Sequence, residues 1–201
     1  MKPKRIELSI SLLALLGGGA FLLKMCYMSL AFNCAFGLAF LSATYLYFLI
    51  RQKLQIPLVL LALVFAALEV DALGNHFHMY GQAFGPLQYD EFSHLTVQVL
   101  VTPVFVWLTR ETLNKWDYEL PLKLTAFFSA TIVFSMSAFY EIIELWDEVY
   151  FGGHRIWGPH DTASDLQFDL FGIIVGSLLA NVLLKILQTR DRPALQRSRA
   201  L

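Results

Sequence analysis

Residues 139–176, FYEIIELWDEVYFGGHRIWGPHDTASDLQFDLFGIIVG, decide how the chain folds. One apolar segment ends in acids, a short loop follows, and a second apolar segment begins in acids. In a helix, Glu141, Glu144 and Glu148 fall at i, i+3 and i+7 and share one face, while Asp161, Asp165 and Asp169 recur every fourth residue and share another. Carboxylates at the bilayer centre cost about 2.5 to 3.5 kcal/mol each on insertion scales, so acids next to hydrocarbon face a bundle interior or a polar cavity. They mark a functional site by default.

Composition agrees with a membrane setting. Of 201 residues, 57% are hydrophobic and 15% charged, where a soluble domain carries about 25% charged residues. The net charge of -1 conceals a segregation of basic and acidic residues to opposite ends of the apolar segments. No basic stripe with interleaved aromatics is present, which excludes nucleic acid as a partner. Cys26 and Cys34 lie in or beside apolar segments without metal-like spacing and read as small apolar residues.

A membrane span needs about 20 residues, and six stretches qualify: roughly 6–25, 28–50, 54–73, 89–109, 121–146 and 164–188. The expected fold is therefore all-α, a polytopic membrane bundle of six transmembrane helices forming a single domain over residues 1–188, with a basic cytoplasmic tail at 189–201. The N-terminal run, MKPKRIELSISLLALLGGGAFLLKM, lacks a convincing cleavage site and reads as a retained first span. Lys and Arg set the orientation. Lys2, Lys4 and Arg5, then Arg51 and Lys53, then Arg110, Lys115 and Lys123, then Arg190, Arg192, Arg197 and Arg199 all fall on one side if there are six spans. Lys24 and Arg155 alone fall on the other. Both termini are thus expected in the cytoplasm.

The acids and histidines collect on the opposite side. Glu69, Asp71, His76, His78 and Tyr80 end span three; Asp90, Glu91 and His94 begin span four; Glu141, Glu144, Asp147 and Glu148 end span five; His154, His160, Asp161, Asp165 and Asp169 begin span six. Glu69, His94, Glu141 and Asp169 lie deepest. Asp90 and His94, at i and i+4, share a helix face, a spacing that lets both reach one metal or lets the carboxylate orient the imidazole. A histidine among several carboxylates suits Zn, Mn, Fe or Mg, with Ca less favoured. The expected metal ligands are His76, Asp90, His94, Glu141, Asp165 and Asp169. The bland alternative is a hydrogen-bonded network that pins helices together, and Asp161 reads equally well as a helix cap beside Thr162. Phe92, Trp107, Trp116, Trp146, Tyr150 and Trp157 read as interfacial anchors, and Gly172 and Gly176 as a small-residue packing face.

At these residues the chain resembles a known family. YDEFSH at 89–94, FYEIIE at 139–144 and DLQFDLFGIIVG at 165–176, with GNHFHMY at 74–80, are similar to the uncharacterised bacterial inner-membrane proteins typified by YjdF and, more distantly, to the VanZ-like family. VanZ-like proteins usually carry Asn four residues after the motif's Asp, where this chain has Asp169. The resemblance implies a multi-pass bundle in the bacterial cytoplasmic membrane with polar motifs at one end, and for VanZ-like proteins an association with glycopeptide tolerance and the cell envelope. It supplies no reaction.

Three functions remain in play. The first is a divalent-metal site serving an enzyme that acts at the outer leaflet on a lipid or lipid-linked envelope precursor, with Glu144 or Asp165 as general base and Arg155 holding a phosphate. The second is a proton- or cation-handling transporter, disfavoured because the inner halves of the spans offer little polar path and no inverted repeat. The third is a non-catalytic envelope accessory protein whose polar cluster is structural.

Overall fold

A computed structural model describes residues 56–152, 156 and 158–199, with side chains through residue 187. Spans one and two, with the glycines at 17–19, Cys26 and Cys34, lie outside the described residues. So do His154, Arg155 and Trp157. Four helices are present among those described: α1 (Leu58–His76), α2 (Tyr89–Lys115), α3 (Leu122–Trp146) and α4 (Asp161–Arg199), with a two-stranded hairpin, β1 (Ala83–Phe84) and β2 (Leu87–Gln88), between α1 and α2. All four are long and apolar enough to cross a membrane, and they correspond to expected spans three to six. α4 continues beyond the expected end of span six, to Arg199. The residues fall into two compact units, one ending at Val97 and one beginning at Gln98.

In the first unit α1 starts directly after Pro57, whose φ of -55° and ψ of 141° are those of an extended residue before a helix. It ends where His78 adopts φ 53° and the Met79 amide donates to the Gly74 carbonyl at 2.9 Å. The hairpin turns on Gly85, whose φ of 67° suits the first central position of a two-residue loop. Around it Phe84, Tyr89 and Phe92 stack at centroid distances of 4.6–5.8 Å. Phe92 is therefore part of a packed aromatic knot. The same knot explains Gly74, where a Cβ would collide with the Tyr89 ring.

α2 opens with one half of a capping box: the Gln88 amide donates to Glu91 Oε2, three residues on, at 3.0 Å. Glu91 thus satisfies the amide of the residue that precedes the helix.

The second unit contains the rest of α2, α3 and α4. α3 follows Pro121 as α1 follows Pro57. Its buried residues include Thr125, Ser129, Val133, Ser137 and Glu141, one every fourth residue, while Phe127, Phe128, Ile132, Met136, Phe139 and Ile143 are exposed. Large apolar groups facing outward and small hydroxyl groups facing inward are what hydrocarbon surroundings dictate, because lipid rewards no burial of apolar area and small residues let backbones approach. The hydroxyls are satisfied by their own helix, Ser129 Oγ donating to the Thr125 carbonyl at 2.7 Å and Thr131 Oγ1 to the Phe127 carbonyl at 3.0 Å.

α4 buries Asp165, Asp169, Ile173, Gly176, Ala180 and Leu184 and packs along α3. At Gly176 it meets α2 so closely that a Cβ would lie 2.8 Å from Thr102 Cβ, 3.0 Å from the Gln98 oxygen and 3.1 Å from the Val99 oxygen. Pro103 inside α2 has no N–H to offer the Val99 carbonyl, and the glycine fits against that loosened turn. Trp107, expected at a boundary, is buried at 7% exposure, because α2 runs to Lys115 and leaves this residue two turns from its end. Trp116, Trp146 and Tyr150 are exposed, as interfacial anchors must be.

Candidate functional site

The first unit contributes the Asp90 and His94 pair. One turn apart at the start of α2, Asp90 Oδ1 and His94 Nε2 lie 3.7 Å from each other, each side chain 14% exposed. The carboxylate is thus placed to orient the imidazole, as the spacing predicted. His76 stands at the C-terminal end of α1 with its ring edge-on to Phe77 at 4.7 Å. Glu69, seven residues before it, is half-buried, and its Oε2 is buried without a hydrogen bond among the described residues.

A second polar group in this unit escaped the sequence reading. Tyr80 donates to Asp71 Oδ1 at 2.7 Å and lies 3.3 Å from Ser93 Oγ, while Asn75 Nδ2 donates to Asp71 Oδ1 at 3.1 Å. Tyr89 donates to the Val70 carbonyl at 2.6 Å. Two tyrosines therefore tie the loop and the start of α2 to the last turns of α1, next to His94. Burial, then the negative charge of Asp71, pushes the Tyr80 hydroxyl well above the usual tyrosine range, so it remains a proton donor. Asp71 and Asn75 stand at i and i+4 on one helix, but Tyr80 lies past the helix end, where periodicity no longer applies.

The second unit contributes the acids. Glu141 near the end of α3 is 4% exposed, and Asp165 and Asp169 in the first turns of α4 are 2% and 1% exposed. Three carboxylates are thus fully withdrawn from solvent in two packed helices. Glu144 is half-buried. Glu148 does not continue its face. After Trp146 the chain widens into a π-helical turn, Asp147–Phe151, closed by Gly152 at φ 72°, and there Glu148 Oε2 accepts the Ile156 amide at 3.3 Å. The wider turn changes the angular phase that an i, i+7 argument assumes. Asp161 is the first residue of α4 and sits past the cap; the carbonyl of exposed His160 accepts the Ser164 amide at 2.9 Å instead. Arg155 lies outside the described residues.

Beneath the acids, Gln98 Nε2 donates to Ser137 Oγ at 2.8 Å, joining α2 to α3. Interhelical bonds of this kind average about 0.6 kcal/mol in a membrane protein. Ser137 is one turn before Glu141 on the same buried stripe.

Four helices long and apolar enough to span a bilayer, among the described residues, define a polytopic helical membrane protein. The chain belongs to the family described as predicted membrane protein (DUF2238), which matches residues 8–190 and comprises the YjdF-like proteins. No curated protein and no solved structure matches the chain.

Proposed function

We propose that the protein holds a divalent cation at the extracytoplasmic end of its bundle, with Asp90, His94 and Asp165 as the first ligands and Glu141 and Asp169 completing the set. The burial of Glu141, Asp165 and Asp169 carries this reading. An ionised carboxylate in a low-dielectric interior is costly unless hydrogen bonds, a cation or protons compensate it, and a divalent cation can compensate several carboxylates at once.

The helices themselves support convergence. α2 is one uninterrupted helix, so Asp90, His94, Gln98 and Thr102 follow one another at four-residue steps, and Gln98 and Thr102 are the residues that meet α3 and α4. At about 1.5 Å per residue, His94 stands about 6 Å beyond Gln98, Glu141 about 6 Å beyond Ser137 and Asp169 about 10 Å beyond Gly176; Asp90 and Asp165 stand about 6 Å further still. One imidazole and several carboxylate oxygens suit Zn, Mn, Fe or Mg. His76 remains a further candidate ligand at the end of α1.

A bound cation at this depth lowers the pKa of a water or polarises a phosphoryl or ester oxygen. Glu144, half-buried one turn past Glu141, or Asp165 then serves as general base, and Arg155 as the phosphate-holding cation. The substrate class on this reading is a lipid or lipid-linked envelope precursor at the outer leaflet of the bacterial cytoplasmic membrane. Transport is the weaker reading: the Ser129 hydroxyl bonds to a carbonyl of its own helix, and buried Val133 interrupts the row of hydroxyls.

The test is elemental mass spectrometry on protein purified in mild detergent with metal-free buffers. The expected result is one equivalent of transition metal in the wild type and less than about a tenth of that in His94→Ala and Glu141→Ala. Metal-free wild type, together with destabilised variants, would leave only the structural network.

A further inference from the structure

We infer that Gln98 is the positioning residue of the cation site, setting the register of α2, α3 and α4 one turn beneath the ligands. The inference rests on the cation reading and deepens it.

Gln98 engages both neighbouring helices from one position. Its side chain donates to Ser137 Oγ of α3 at 2.8 Å. Its carbonyl accepts Thr102 Oγ1 at 2.7 Å and faces Gly176 of α4 at a separation that admits no side chain. Each neighbour lies on the row that leads to a ligand: His94 follows on α2, Glu141 on α3, and Ile173 and then Asp169 on α4.

The strength of the bond indicates what it does. A single interhelical hydrogen bond of modest worth cannot hold a bundle together. It can decide which of two nearby registers the helices adopt, as a polar residue at one core position does in a coiled coil. A slip of one residue between α2 and α3 would move Glu141 by about 1.5 Å along the axis and about 100° around it. Ligand geometry tolerates far less, so the cation site is the feature that needs this bond.

The experiment loads the full chain with Co(II) in detergent and records the d–d spectrum, the cobalt affinity and the thermal midpoint in chelator for wild type, Gln98→Leu, Ser137→Ala and Ser137→Thr. Gln98→Leu and Ser137→Ala are expected to weaken cobalt about 10- to 100-fold and to shift the d–d bands, with an unchanged midpoint in chelator. Ser137→Thr, which keeps the hydroxyl, is expected to restore both affinity and spectrum. Unchanged cobalt affinity and bands in Gln98→Leu overturn the inference, and so does a loss of affinity matched by a fallen midpoint in chelator. Wild type that takes up no cobalt overturns the cation reading itself, and this inference with it; the wild-type sample alone reveals that outcome.

Discussion

Asp169→Asn is expected to move stability in opposite directions with and without metal. In chelator the variant should unfold at a higher temperature than wild type, because one of three buried carboxylates has become neutral and the like-charge and desolvation cost falls. With a divalent cation at about 100 times its dissociation constant, the wild type should gain about 2.7 kcal/mol by mass action. The variant should gain almost none, since loss of a direct ligand weakens binding by about 100-fold or more. Thermal scans in detergent, with and without metal, check both signs. A purely structural network makes a different forecast: Asp169→Asn would then lower the midpoint equally under both conditions, because it would break hydrogen bonds that have nothing to do with a cation.

Gly176→Ala is expected to cost about 2 to 3 kcal/mol, near the upper end of overpacking substitutions. The added Cβ meets Thr102 Cβ at 2.8 Å and two backbone oxygens at 3.0 and 3.1 Å. None of these can swing aside as the end of a flexible side chain would. Thr102 is held by its bond to the Gln98 carbonyl, and the two oxygens belong to the helix turn before Pro103. Unfolding by SDS titration in mixed micelles measures the loss. Gly158→Ala is the control: a Cβ there meets nothing within 4 Å, so its effect should stay under about 1 kcal/mol.

The acids of the site were legible because helix periodicity and the penalty for carboxylates in hydrocarbon act together. Glu141, Asp165 and Asp169 could be placed on buried faces from their spacing alone, and the structure buries all three. Asp90 and His94 were legible for the same reason, as a four-residue step at a helix start. Glu148 defeated the method, since no local residue pattern announces that α3 will widen into a π-helical turn. Trp107 defeated it differently: a 20-residue rule closes the span near position 109, whereas α2 continues to Lys115 and draws the indole inside. The aromatic knot around Phe92 was not legible because the strands of the hairpin beside it are only two residues long, too short to show alternation. Gln98 and Ser137 lie 39 residues apart, and only the packing of α2 on α3 reveals that they meet.

The helix interior also shows how the polar site is reconciled with its surroundings. Outward-facing phenylalanine, isoleucine and methionine on α3 meet lipid, while the inward stripe of Thr125, Ser129 and Ser137 keeps its hydroxyls satisfied and its backbone close to its neighbours. The stripe ends in Glu141. A row of small residues that terminates in a buried carboxylate places that carboxylate at the helix interface, so the same pattern that packs the helices also buries an acid at its end.

X-ray absorption spectroscopy on the zinc-loaded wild-type protein addresses the central claim most directly. The account predicts a first shell of nitrogen and oxygen at about 2.0 to 2.2 Å, with the outer-shell scattering of one imidazole from His94 and no sulfur. A shell without imidazole, or a protein that retains no zinc, would contradict it.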